Sequence, residues 1–427
     1  MPGGDPPAAS IPSTASPAAL PREGSIEELF CALAAIPSPS GGERVVGEAI
    51  RSWLAGAGVD AAFDDAGAVN DSDAGNLIAT VPGAASAPRL LFVAHIDTVE
   101  SGSQAIRPML GDDGVIRSAG DTILGADNKS AGAAVMRCCR TAAAMPAAER
   151  ATVIAAFTCR EEAGRMGVGL LNLGALSVDC AFSVDGSRPI GTVITRALGQ
   201  QVFTLEVHGR AAHAAADPEA GVNAIAVAGE IVASMPLGRR PGGGSASIAA
   251  VVGGAVIDRL APAALRALGV AEDAAGETVI RAAIDAAPTN SVPDRALLSG
   301  ELRGYTEAEL SETRAALEHV ARRVCAERGA HYEWRDRERA VPPFPGAPDS
   351  RALALVRAAA ASIDGIRFTT TEAHATLEAN YLAAATDVVA LASGGSGPHQ
   401  FSESITVAEL RQLEALLTRI VELAAAR

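Results

Sequence analysis

A break in pattern at about Gly199 constrains this 427-residue chain more than any other feature. Before it, short apolar runs alternate with helical segments: NLIATVPG, RLLFVAHIDTV, the Ala-rich AGAAVMRCCRTAAAM, ATVIAAFTCREEAG and CAFSVDGS. Strands interleaved with helices build a sheet covered on both faces and at least partly parallel. After it, QVFTLEVHG alternates with period two and GVNAIAVAGEIVASM is helical. SASIAAVVGG and ALLSGELRG read as strands, TEAELSETRAALEHVARRVCAERG as a helix and HYEWRDRE as a last strand. That β-α-β-β-α-β order is a split βαβ unit able to fold by itself. Beyond the Pro-rich VPPFPGAP, the segments RALALVRAAAASI, DVVALASGG and VAELRQLEALLTRIVELAAAR return to helix, strand, helix. The fold class is therefore α/β, a mixed and mainly parallel sheet with helices on both faces, interrupted by an inserted α+β (ferredoxin-like) domain.

The expected division is a disordered leader at 1–24, a catalytic domain in two parts at 25–198 and 340–427, and the inserted domain at 199–339. Ser25 with Glu28 three positions on predicts a capping box opening the first helix. Within the insert, the segment 255–289 is longer than a usual connection; its RLAPAALRAL suits a short helix and its ETVIRAAIDA a strand or a helix.

Composition narrows the function classes. The formal charge is −15 with no basic tract, which argues against nucleic acid and anionic membrane surfaces. Six cysteines without a C-x-x-C pair read as free thiols of a reducing compartment. The leader has no apolar h-region and no apolar run is long enough to span a bilayer, so the expected location is the cytoplasm. With aromatics at 3%, the cores must be built from Ala, Val, Leu and Ile.

Ligand-type residues recur where predicted strands end. RLLFVA runs into His95 and Asp97, ATVIAAFT into Glu161 and Glu162, CAFSV into Asp185, and DVVALASGGSGP into His399, while Asp127 lies in the loop GDTILGADNKSAG before a helix. The crevice beyond the carboxyl ends of strands is where α/β sheets bind ligands. Each residue alone has a plain reading as a turn or surface group; their joint occurrence points to a metal centre. Imidazole and carboxylate donors without thiolates suit two divalent ions, Zn or else Mn or Co. Two ions about 3.5–4 Å apart need a shared carboxylate, and Asp127 is suited to bridge. Asp97 is placed to orient the His95 imidazole, and the adjacent glutamates can divide their work, Glu162 on metal and Glu161 as general base. A nucleophile elbow, a dinucleotide fingerprint and a P-loop are absent.

FVAHIDTV, GADNKSAG, TCREEAG, SVDG, GRAAHAAADPEAGVNAI, NSVPD, SGELRG and SGPHQFSE, in this order, resemble the dinuclear-metal hydrolase family of glutamate carboxypeptidase, aminoacylase and acetylornithine deacetylase, and its peptidase T-like branch most. The resemblance implies one ion held by His95, Asp127 and Asp185, the other by Asp127, Glu162 and His399, with Glu161 as base and Asp97 as orienter. It implies a cis peptide at Asp127–Asn128. It also implies that the inserted domain is a lid that pairs subunits as a homodimer or higher oligomer, with His213 stabilising an oxyanion and Asn290 and Arg303 meeting a substrate carboxylate. Three departures stand out: TLEAN with Glu378 and Asn380 in place of the usual stretch, Gly304 after Arg303, and the 255–289 segment. Asn380 and His374 are further substrate-binding candidates. The expected reaction is hydrolysis of a C–N bond in a small carboxylate-bearing, anionic substrate such as a peptide, an N-acyl or an N-carbamoyl amino acid. The departures also resemble a divergent relative, 5-nitroanthranilic acid aminohydrolase, which replaces an aryl amino group by hydroxyl with release of ammonia. A silent family member that only binds is the third reading, disfavoured by the intact ligand set.

Overall fold

The computed structural model describes residues 20–100, 105–164, 166–260, 276–337, 340–347 and 349–425. The chain divides into two compact units. One contains the residues up to Val193 with Ser350–Thr370 and Thr386–Arg427, and the other contains Ile194–Asp349 with Thr371–Ala385. Residues 194–198, 340–349 and 371–385, expected in the catalytic parts, thus group with the inserted unit. The expected leader falls largely, and RLAPAALRAL mostly, outside the described residues.

In the first unit, Ser25 caps the helix Ile26–Ala34, its hydroxyl accepting from the Glu28 N–H while the Glu28 carboxylate accepts from the Ser25 N–H. Its sheet runs in the order Ala61–Phe63, Leu77–Val81, Thr152–Thr158, Arg89–His95, Cys180–Val184, Asp387–Leu391. Its middle is parallel and its first two strands are antiparallel additions. Every position of TVIAAFT at 152–158 is buried, as expected for a strand covered on both faces. The helix Ala126–Ala144 packs on Arg89–His95 and Thr152–Thr158, and its small side chains let it sink into the core. Among the few aromatics, the buried Phe92 and Phe182 stack with centroids 5.0 Å apart.

Parallel registry sets where the strands stop. His95 lies opposite Thr158, Val93 opposite Ser183, and Leu391 opposite Val184, so these carboxyl ends open onto one edge of the sheet. An additional three-stranded sheet, formed by Ser404–Thr406, Val115–Ser118 and Pro108–Leu110, was not anticipated from the sequence.

The inserted unit holds an antiparallel sheet ordered Gly238–Arg239, Ser245–Gly253, Arg295–Gly304, Gly199–His208, His331–Asp336. Alternate residues Phe203, Leu205 and Val207 face a core shared with the helices Ala224–Ser234 and Glu307–Arg328. Asn223 and Thr306 cap these helices by accepting from Ala226 and Glu309 N–H, and Gly329, at φ 67°, ends the second. The undecided segment ETVIRAAIDA is helical, at Gly276–Asp285.

Candidate metal centre

Two triads of ligand-type atoms, His95–Asp127–Asp185 and Asp127–Glu162–His399, each fall within 4.8 Å and share Asp127. His95, the last residue of its strand, is buried; its Nδ1 contacts the Asp97 carbonyl at 3.0 Å, which leaves Nε2 facing Asp127 Oδ1 at 3.2 Å. Asp185 follows Val184 at the end of the next strand. Asp127 sits in the first turn of the helix Ala126–Ala144, where it and Asn128 depart from helical geometry and the peptide between them is cis. His399 arrives differently from the other candidate ligands. It lies on a loop well past Leu391, and Gly394, Gly395 and Gly397 in this loop all have left-handed φ, a turn that a side chain would resist. His399 Nε2 reaches Glu162 Oε1 at 2.9 Å and Asp127 Oδ2 at 3.5 Å.

The residues around the triads are held through their backbone. Asp97 is sealed from solvent and accepts from the Glu161 N–H at 2.9 Å, the Glu162 N–H at 3.1 Å and the Ser40 hydroxyl at 2.6 Å. Glu43, also buried, accepts from the N–H groups of Gly41 and Arg160 and from the Ser72 hydroxyl. Arg160 (φ 53°) and His399 (φ 64°) hold left-handed backbone next to the ligands, a cost that recurs at functional sites. Glu161 is buried and belongs with His95 and Glu162 to a third ligand-type group.

The electrostatics suit a cation. Burial pushes the Glu162 carboxyl up to about 7, and the neighbouring Asp127 and Glu161 charges add to it. Burial also raises Asp127, but hydrogen bonds from His399 and His95 outweigh it and hold that carboxyl well below the usual range. The bond to Asp127 lifts His399 to about 9. Imidazole and carboxylate donors that share Asp127 and carry no thiolate fit a dinuclear site.

The remaining predicted residues lie in the inserted unit. His213 is exposed, and its Nδ1 accepts from the N–H groups of Ala215 and Ala216, a turn-capping contact. Asn290 is beside it, its carbonyl accepting from the Ala214 N–H. Arg303 forks onto Glu301 at 2.7 and 3.3 Å, and Gln200 donates to the same carboxylate. His374 Nδ1 meets the hydroxyl of the buried Tyr305 at 3.0 Å. Asn380 is fully buried and its amide is spent on the backbone: it donates to the carbonyls of Leu198 and Pro342 and accepts from the Leu377 N–H. These contacts give Asn380 a structural job. Among the described residues, no hydrogen bond or ion pair links these five residues into one cluster.

A fourth ligand-type group, Glu206–His208–Glu333, is of another kind. Arg295 at 2.8 Å and Arg335 at 2.6 Å already neutralise its two carboxylates. Sequence reasoning passed over Ser40, Glu43 and Glu403, the last of them inside the motif SGPHQFSE.

The profile of peptidase family M20/M25/M40 matches residues 91–423. The uncharacterized protein YqjE of Bacillus subtilis (strain 168) is 30% identical over 212 residues, covering 50% of this chain and 56% of that protein. Peptidase T of Streptococcus equi subsp. equi (strain 4047) is 27% identical over 198 residues, 39% of this chain and 48% of that protein. The chain thus spans about half the length of the curated relatives it matches. Among solved structures, aminopeptidase PepT from Bacillus cereus ATCC 10987 superposes with a TM-score of 0.79 at 26% identity, over 96% of this chain and 100% of that one. The dinuclear metal-binding M20 peptidase YXEP of Bacillus subtilis shares the fold at a TM-score of 0.65 and 16% identity, over 94% and 98% of the two chains. A profile spanning most of the sequence and a fold shared along nearly its full length place the chain in peptidase family M20/M25/M40, in its peptidase T-like branch.

Proposed function

We propose that this chain is a dinuclear-metal hydrolase that cleaves a C–N bond in a small carboxylate-bearing substrate, a peptide or an N-acyl or N-carbamoyl amino acid. The observation that carries the reading is the pair of ligand triads sharing Asp127 with Glu161 beside them. His95, Asp127 and Asp185 would hold one ion and Asp127, Glu162 and His399 the other, and the donor types suit Zn, Mn or Co. When bound, such a pair polarises the scissile carbonyl and lowers the pKa of water toward about 7.

The chain's own residues supply the rest. The Glu161 carboxylate takes the proton of the attacking water and returns it to the leaving nitrogen. Asp97 fixes the direction of Glu161 and Glu162 through their backbone N–H groups and keeps the His95 imidazole in one tautomer. In the inserted unit, the Nε2 side of His213 is left to donate to a developing oxyanion, and Asn290 and Arg303 meet the substrate carboxylate. His374, tied to Tyr305, is a further substrate-binding candidate. Exposed apolar side chains at Ile225, Val251 and Leu297 offer surface for a homodimer or higher oligomer through the inserted unit. Six free cysteines accord with a cytoplasmic protein. Among the described residues, no helix is long and apolar enough to cross a membrane.

The deciding experiment assays dipeptides, N-acyl and N-carbamoyl amino acids, and nitro- and aminobenzoates with added Mn or Zn, alongside metal analysis. Turnover of the aliphatic amides is the expected result. Ammonia release from the aryl compounds alone would move the substrate to the aromatic amine class. No turnover together with substoichiometric metal would leave only a binding role.

A further inference from the structure

Glu403 is a glutamate outside both ligand triads, 2% exposed, whose carboxylate is occupied by backbone alone. Its Oε2 accepts from the N–H groups of Leu124 at 2.8 Å and Gly125 at 2.7 Å, and its Oε1 accepts from the N–H of Asp127 at 2.9 Å. These three donors lie on the turn that delivers Asp127, the residue both triads share. Glu403 and Asp127 are 276 positions apart, so no local propensity of either segment sets their distance.

Glu403 is itself fixed on both sides. Before it, its own N–H donates to the Gln400 carbonyl, closing the short turn that follows His399. After it, Ser404–Thr406 pairs antiparallel with Val115–Ser118, Ile405 lying opposite Ile116. One short stretch therefore carries a ligand-type residue, His399, at one end and a clamp on the opposing ligand loop at the other. The separation of 3.5 Å between His399 Nε2 and Asp127 Oδ2 is spanned by this stretch.

We propose that Glu403 is a positioning residue of the dinuclear centre: its carboxylate gathers three amide protons of the 124–127 turn and so fixes Asp127 as the bridge between two divalent cations. The proposal rests on the dinuclear reading above. Glutamate is required because a carboxylate offers acceptor sites on both oxygens. A glutamine keeps one acceptor oxygen and turns an NH2 group toward the remaining N–H, leaving a buried donor facing a donor. Aspartate keeps the charge and both oxygens but loses about 1.5 Å of reach, one C–C bond.

The test measures metal affinity and does not need a substrate. Metal-free protein is titrated with Zn²⁺ or Mn²⁺ in competition with a chromophoric chelator, and the melting of the metal-free form is followed in parallel. In Glu403→Gln both dissociation constants are expected to rise about 10–100-fold, the usual effect of losing an outer-shell partner, and Glu403→Asp is expected to fall between it and the unaltered chain. A lower melting temperature with both affinities unchanged would mean a purely structural role and would overturn the proposal. Weakening of one ion only would overturn it too, because a misplaced shared ligand must affect both. If Glu403→Gln does not fold, Glu403→Asp decides by the same two criteria. Failure of the unaltered chain to take up metal would appear before any substitution is made, and would overturn the dinuclear reading together with the proposal.

Discussion

In the first unit, His95 and Asp97 are sealed from water, and Asp97 alone accepts from Ser40, Glu161 and Glu162. In the inserted unit, His213 is exposed and satisfied by two neighbouring N–H groups, while Arg303 is already neutralised by Glu301. The first arrangement is pre-organised: its groups sit on strand ends, and their neighbours fix them before any ligand arrives. The second is provisional, since Arg303 must give up or share a partner to meet a substrate carboxylate. Chemistry set by the first unit is therefore expected to be intolerant of change, and recognition by the second to be graded.

The sharpest test of this contrast is Glu161→Ala. Turnover should fall about 10²–10⁴-fold, the range supplied by a general base, with metal content close to that of the unaltered chain. Persistent turnover would remove Glu161 from the mechanism. Asp97→Asn comes next: an amide cannot accept from all three donors, so activity and metal affinity should fall about 10–100-fold, read by steady-state kinetics and by metal titration. Arg303→Ala should act on binding, raising KM about tenfold, equivalent to about 1.4 kcal/mol, with kcat and metal content little changed. A loss of metal with Arg303→Ala would break the comparison between the two units. The smallest effect on activity is expected from Asn380→Ala. That change strands two buried carbonyls and an N–H, so it should cost about 1–3 kcal/mol of stability in a denaturant titration while leaving kinetic constants in place. A changed KM at unchanged stability would return Asn380 to the substrate site.

The convergence of candidate ligands was legible in the sequence because a buried parallel strand announces itself as an apolar run, and the first polar residue after it must emerge at the sheet edge. His95 and Asp185 follow that rule, while Glu161 and Glu162 come three and four positions after the strand end at Thr158. His399 follows it only through a glycine-bent loop, where the run DVVAL gives no sign of how far the chain travels before turning back. Glu43 and Glu403 were illegible for a different reason. A lone glutamate in a polar stretch reads as solvated, and only the fold brings backbone N–H groups from Arg160 or from residues 124–127 to it. The structural contacts of Asn380 were illegible in the same way, since the carbonyls of Leu198 and Pro342 that claim its amide are remote in sequence. The three-stranded sheet escaped because Pro108–Leu110 and Ser404–Thr406 are three residues each, too short to show a period of two. The domain insertion was legible, for the switch from interleaved strands and helices to a β-α-β-β-α-β order occupies well over a hundred residues.

Lys129, two positions after Asp127, is the only lysine in the chain, and it is fully buried with its Nζ donating to the Ile36 carbonyl. No side-chain amine is therefore presented at the folded surface. Acetylating enzymes and amine-directed labels, which act on exposed lysines, have no side-chain target on the native molecule. Covalent modification at Lys129 then becomes a count of openings. Its rate, read by mass spectrometry, measures how often the turn that carries Asp127 comes apart, without any engineered probe.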